Sequence, residues 1–274
     1  MKKLSLLFAV AAGATLFYSC EEKPIVIPKL EVGDRKILVE ELTGVRCQNC
    51  PAGTAELNDV RNTLGDNLIV VALHTASGYD MPFSDSKYDF RTPECDAIAD
   101  YLFIGGDPGA PVASVDRQFL DDLTGMFIYR PWKGSINTRA SVEPELGLFI
   151  NPTFDPATRT ADITVNVSPD QLVSGEIRLS VYITEDSIVD IQQKGAERVM
   201  EYVHRHVFRD AVSAPTGDNI TTLLETGAAF SKTYTVTLPA EWKAEHCSVV
   251  AFVHRHNEDH KQRQILQADE KHLY

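Results

Sequence analysis

Between an apolar run ending at Leu42 and a helical pattern opening at Pro51, the chain places Cys47 and Cys50 with two residues between them. That placement narrows the possible folds more than any other feature. Lys36 to Leu42 has the short apolar length of a buried strand, Thr43-Gly44 ends it, and Pro51 suits the first turn of a helix. From Ala52 onward, Ala55, Leu57, Val60 and Leu64 can line one helix face, and Gly65-Asp66-Asn67 closes it. Leu68 to Leu73 is a second apolar run rich in β-branched residues. A strand, a helix and a strand in succession predict a parallel pairing.

Downstream, Pro93-Glu94 opens a helical pattern with Ala97, Ile98, Tyr101 and Leu102 on one side, broken by Gly105-Gly106-Asp107-Pro108-Gly109. The glycine cluster lacks the Lys and Ser/Thr of a phosphate loop and reads as a turn. Ala110 to Val115 starts a third strand with Pro111 at its entrance, where proline interrupts no ladder. In the ambiguous stretch from Phe119 to Glu143, Trp132, Ile136 and Ala140 fit a closing helix. Beyond Pro144 the pattern becomes strand-like: 145–150, 160–167, 176–184, 201–208, 232–238, 248–256 and 264–273. Ile163, Val165 and Val167 alternate with polar residues, as do Tyr234, Val236 and Leu238, the mark of half-buried strands. About seven strands without helices between them predict an antiparallel sandwich. The expected organisation is a leader over residues 1–19, a tether over 20–34, an α/β domain over 35–143 and an all-β sandwich over 144–274.

At the N-terminus, Lys2 and Lys3 precede an apolar run from Leu4 to Tyr18 that stops at Ser19-Cys20, the pattern of an export signal. Leu16-Phe17-Tyr18-Ser19-Cys20 resembles a relaxed bacterial lipobox, which implies that Cys20 is acylated and anchors the protein to a membrane. Glu21-Glu22-Lys23 resembles the acidic export signal of some surface-exposed lipoproteins; a solvated tether reads equally well. Removing residues 1–19 leaves 24 basic side chains against 39 acidic ones, a field that repels nucleic acid. Export also places the thiols among oxidants, so Cys47 and Cys50 are expected to form a disulfide.

A dithiol at the head of a helix has chemical content, because the N-terminal amides and the dipole stabilise a thiolate at Cys47, and Arg46 adds a positive neighbour. Cys47 is then the attacking sulfur and Cys50 resolves the mixed disulfide. The other use of such a pair is a permanently oxidised staple of the helix start. A zinc site needs a second ligand pair, which the sequence does not supply, and no cofactor is expected.

Strand, Cys-Gln-Asn-Cys, helix, strand, and a later strand entered by Ala110-Pro111 together resemble the thioredoxin fold. The resemblance implies that Pro111 is cis and faces the cysteines, and that Glu40 or Glu41 is a buried acid passing a proton to the resolving sulfur. Departures are Arg46 before Cys47 and the dipeptide Gln-Asn between the cysteines.

Over the whole mature chain the sequence resembles the Omp-twenty-eight-related outer-membrane lipoprotein family. The likeness lies in Val39 to Pro51, Gly109-Ala110-Pro111 with Val115-Asp116-Arg117, Tyr202 to Arg209, and Ile265-Leu266-Gln267-Ala268. It implies an envelope lipoprotein with a thioredoxin-like half and a β-sandwich half, located at the outer membrane. Two functions remain in view. One is thiol-disulfide exchange on envelope or surface proteins. The other is a non-catalytic receptor or adhesion module, in which the disulfide is structural and the sandwich or the loop from Thr75 to Thr92 binds a protein. Exposure of Cys47 separates them.

Two further groups carry chemistry. His204-Arg205-His206 and His254-Arg255-His256 sit in strand patterns, where a period of two puts each His pair on one face. They are expected on paired or adjacent strands, serving structure rather than metal. Cys95 and Cys247 either pair or stay as buried thiols.

Overall fold

The structure, a computed structural model, describes residues 34–103, 105–118, 127–128 and 132–274. The leader, Cys20 and all of the tether except Asp34 lie outside the described residues. The first half is built on β1 (Ile37–Thr43) and β2 (Leu68–His74), which pair in parallel from Ile37 opposite Leu68 to Thr43 opposite His74. Helix α1 (Cys50–Leu64) makes the crossover that a parallel pair requires. Its inner face is Cys50, Gly53, Leu57 and Val60, while Ala55 is exposed, one position off the expected stripe. Strand β3 (Val112–Val115) runs antiparallel on the other side of β1, with β4 (Phe127–Ile128) beyond it. Helix α2 (Pro93–Leu102) is capped by Thr92, whose side chain accepts the Cys95 amide, and the closing helix is α3 (Trp132–Ala140).

The second half consists of β5 (Leu146–Asp155), β6 (Thr160–Pro169), β7 (Val173–Glu185), β8 (Ile188–Lys194), β9 (Glu197–His204), β10 (Val207–Ala211), β11 (Asp218–Leu224), β12 (Phe230–Thr237), β13 (Cys247–Arg255) and β14 (Ile265–His272). The antiparallel sheet β12-β6-β5 packs on one face of β7 and β13. Between them lies a core of alternating residues, Ile163, Val165 and Val167 against Ile177, Leu179, Val181, Val249, Ala251 and Val253. Each Val, Leu or Ile among them contributes about 1.5–3 kcal/mol by leaving water.

This sandwich does not stand apart from the first half. Its larger layer continues through β10 into β2, where Val207 lies opposite Ala72 and the Ala72 amide donates to the His206 carbonyl at 2.8 Å. The main sheet therefore runs β14-β13-β7-β10-β2-β1-β3-β4, with β11 also on β7. One face carries α2 over Leu38, Leu42, Ile69, Val71, Tyr182, Phe208 and Phe252. The other carries α1 and α3 over Ile37, Val39, Val70 and Val115, and farther along, the three-stranded sheet. The architecture is predominantly β, mostly antiparallel, with few helices. No helix among the described residues is long and apolar enough to cross a membrane.

Three strands escape the pattern of the sequence, the short β4 and, in the second half, β8 and β11, and the expected strand 201–208 is two strands. The break falls at Arg205-His206, where His206 adopts φ +54° and its amide donates to Asp186 Oδ1 at 2.9 Å. Because β7 and β10 pair at Glu185 and Val207, while β8 and β9 pair from Ile188 opposite His204, the chain forms one ribbon that bends at this point.

Candidate functional site

Cys47 and Cys50 form a disulfide, with Cα atoms 5.4 Å apart, and the Ala110–Pro111 peptide is cis. The cysteines are 5% and 1% exposed respectively. Cys50 is the first residue of α1, behind Asn49, whose carbonyl accepts the Ala52 and Gly53 amides. Arg46 does not turn toward the sulfurs. Its guanidinium donates to the Met81 and Pro82 carbonyls and stacks on Phe83 at 4.4 Å. Gly44 lets this loop approach its neighbour: a Cβ there would lie 2.6 Å from the Tyr79 carbonyl oxygen.

The alternation of β1 assigns the two acids to opposite faces. Glu40 shares the α2 side with Leu38 and Leu42, where its carboxylate takes two hydrogen bonds from Arg117, at 2.6 and 2.8 Å. Burial disfavours the Arg117 charge, but the facing carboxylate outweighs it and holds the guanidinium protonated. Asp116 and Arg117 both adopt left-handed φ, 50° and 53°, which is costly for non-glycine residues. Asp116 ties that turn down by pairing with Arg35 and Arg139 and by accepting the Leu38 amide.

Glu41 points the other way, beneath α1. A Cβ on Gly53 would lie 3.1 Å from Glu41 Oε1, 3.2 Å from Pro111 Cβ and 3.0 Å from the Trp132 ring, so Glu41, Pro111 and the start of α1 meet at one place. Glu41 Oε1 is buried without a hydrogen-bond partner, and burial raises the carboxyl from the ordinary 4.5 to about 8. Of the two acids, it is Glu41 that shares a cavity with Cys50.

Glu41 and Cys50 line a cavity of about 30 Å³ whose far wall is Gln192, Tyr202 and His204, contributed by the β8–β9 hairpin. A cavity of this size, with Glu41 and His204 offering unpartnered polar atoms, has room for a water molecule. His204 Nε2 is also buried and unpartnered, and burial lowers this imidazole to about 3, so it is neutral. These three wall residues come from β8 and β9, one unread and one merged with its successor in the sequence. The glycine-centred turn at Gly195, with φ +57°, is the signal that marks them as a hairpin.

The two His-Arg-His segments do not come together as expected. β9 pairs with β8, whereas β13 lies between β7 and β14. His206 sits at the bend, 2.9 Å from an Arg61 nitrogen. His254 lies among Arg117 and Ser180 on the α2 side, and His256 stacks on Tyr101. The bend at residue 206 breaks the assumed strand, so period two no longer applies to that pair. Cys95 and Cys247 are free and buried in different cores, and burial pushes both thiols up to about 12. The loop from Thr75 to Thr92 is bound internally: Asp80 accepts the Val45 amide at 2.9 Å and lies 2.8 Å from His74 Nδ1, while Asp190 accepts the Lys87 and Tyr88 amides.

In the solved structures, HBP35 of Porphyromonas gingivalis is similar over 89% of this chain and 77% of its own, with a TM-score of 0.71 and 17% identity. A protein of Agrobacterium tumefaciens is similar over 89% of this chain and 97% of its own, with a TM-score of 0.57 and 9% identity. At these identities the likeness is one of fold. A domain of the outer membrane lipoprotein Omp28 from Porphyromonas gingivalis matches 46% of this chain and 86% of its own, at 19% identity and a TM-score of 0.33. No curated protein sequence is similar enough to match. Residues 105–272, more than half of the chain, match the family described as outer membrane protein Omp28, and the protein belongs to that family.

Proposed function

We propose that this protein is an envelope lipoprotein, anchored through Cys20 at the outer membrane, whose thioredoxin-like first half exchanges disulfides with envelope or surface proteins. The observation that carries the reading is Glu41: a buried acid poised near neutrality, with one free oxygen, in the same cavity as Cys50. The β1-α1-β2 unit and the approach of Pro111 to the start of α1 support the thioredoxin-like reading. Family membership supports the envelope location.

The exchange balances as follows. A thiolate of the partner attacks Cys47 Sγ, the Cys47–Cys50 bond breaks, and Cys50 leaves as a thiolate that takes the proton of Glu41. A second partner thiolate attacks the partner sulfur of the mixed disulfide and releases Cys47. The partner is oxidised by two electrons and this protein is reduced by two. In reverse, the Glu41 carboxylate takes the Cys50 proton and Cys47 attacks a partner disulfide.

Burial of Cys47 favours a second reading, a structural disulfide in a receptor or adhesion protein. Cys50→Ser separates the two. The exchange reading expects covalent adducts through Cys47 on non-reducing gels of envelope fractions, absent when Cys47 is also replaced. A Cys50→Ser protein that captures nothing overturns it.

A further inference from the structure

The loop that carries the dithiol is bound by a part of the chain that belongs to no other sheet. β8 and β9 pair with each other in a two-stranded sheet apart from the main one. Their hairpin lies against the cysteine loop through four hydrogen bonds. The Gln193 amide donates to the Val45 carbonyl at 2.8 Å, and the Gly195 amide donates to the Gln48 carbonyl at 2.9 Å. Gln192 Nε2 donates to the carbonyls of Gly44 and Cys47, at 3.1 and 3.2 Å. A second set of contacts holds the hairpin to the loop after β2. The Asp190 carboxylate accepts the Lys87 and Tyr88 amides, Arg198 stacks on Phe83 at 4.3 Å, and Ile188 and Ile191 pack with Val45, Phe83 and Phe90.

The two ends of the hairpin differ from the strands around them. Ser187 and His206, the residues just before β8 and just before β10, both adopt left-handed φ, 59° and 54°. Positions at element ends that already depart from strand geometry are where a backbone absorbs a change of direction. Below them, β7 and β10 are fixed in the main sheet at Glu185 and Val207. Movement at Ser187 and on the amide side of His206, whose carbonyl stays held by the Ala72 amide, would lift the hairpin while β7 and β10 remain paired in the main sheet, at the cost of the bond from the His206 amide to Asp186.

We propose that the β8–β9 hairpin is a strap over the dithiol, hinged at Ser187 and His206 and latched by Gln192 and Asp190, which lifts before Cys47 exchanges. The proposal rests on reading Cys47–Cys50 as an exchange site and adds its regulation: whatever loosens the strap turns the site on. It also removes the conflict between a reactive dithiol and a Cys47 that is 5% exposed.

The test is the rate at which dithiothreitol reduces Cys47–Cys50 in the full chain, followed by alkylation and mass spectrometry. Gln192→Ala removes two latch hydrogen bonds and Asp190→Asn weakens the charge-assisted ones, so each is expected to raise the rate about tenfold. Ile163→Val, in the distant sandwich core, lowers global stability without touching the strap and is expected to leave the rate unchanged. In the unaltered protein, the Gln193 and Gly195 amides are expected to exchange hydrogen faster than those of β7 and β13. The strap is overturned if Gln192→Ala and Asp190→Asn leave the rate unchanged, if Ile163→Val accelerates it equally, or if those two amides are as protected as the core. Faster reduction in the latch variants, with no adduct captured by Cys50→Ser, would keep the strap and remove the exchange reading. Unchanged rates alongside captured adducts would do the reverse.

Discussion

Glu41→Gln is expected to stabilise the protein, and increasingly so as the pH rises. Glu41 has a folded value of about 8 against an ordinary 4.5, so between these values the folded state holds a proton that the unfolded state has lost. Stability therefore falls as pH rises through this window, and the cost persists above it. The shift corresponds to about 3 kcal/mol at pH 7, approaching about 5 kcal/mol above pH 8. Glutamine keeps the shape and carries no titrating proton. Urea unfolding of both proteins between pH 4 and 9 reads the difference directly, since the other ionisable groups are common to both. The curves should coincide near pH 4 and diverge upward for the variant. Parallel curves would mean that Glu41 is not held protonated.

Glu40→Ala is expected to cost about 3–5 kcal/mol, because it leaves the Arg117 guanidinium buried without its carboxylate. The remaining neighbours are Tyr182 and His254, at 3.4 and 3.3 Å, and the Tyr101 and Phe252 rings, and none of them carries a negative charge. Burial, and after it the Arg117 charge, hold the His254 imidazole well below its ordinary value, so the ring is neutral and adds no second positive charge. The double variant Glu40→Leu/Arg117→Leu removes both charges and is expected to recover most of the loss. Denaturant midpoints at constant slope measure both. A single substitution costing less than about 1 kcal/mol would show that water reaches Arg117.

The first half of the fold was legible because its signals are local. The apolar run 37–42, Pro51 and the spacing of Leu57 and Val60 are enough for strand, helix and parallel strand. Which of Glu40 and Glu41 faces the cysteines was not legible, since alternation says only that they oppose each other; the face that α1 covers is decided by packing. Strand β8 escaped because Asp190 and Gln192 are buried polar residues satisfied by distant loops, which erases the expected alternation. The segment from Glu201 to Phe208 contains no Gly or Pro to mark its bend, and Asp186, a long-range partner, stabilises it. Nor does sequence carry the pairing of Val207 with Ala72, through which strands of both halves share one sheet.

The reduction potential of Cys47–Cys50 tests the central claim most directly. Equilibrated against glutathione buffers of defined ratio, with the oxidised fraction counted by mass, an exchange site should titrate above about −300 mV, in the range of about −270 to −120 mV spanned by thiol-exchange proteins. A disulfide still oxidised below about −300 mV would be a structural staple, and would contradict the account.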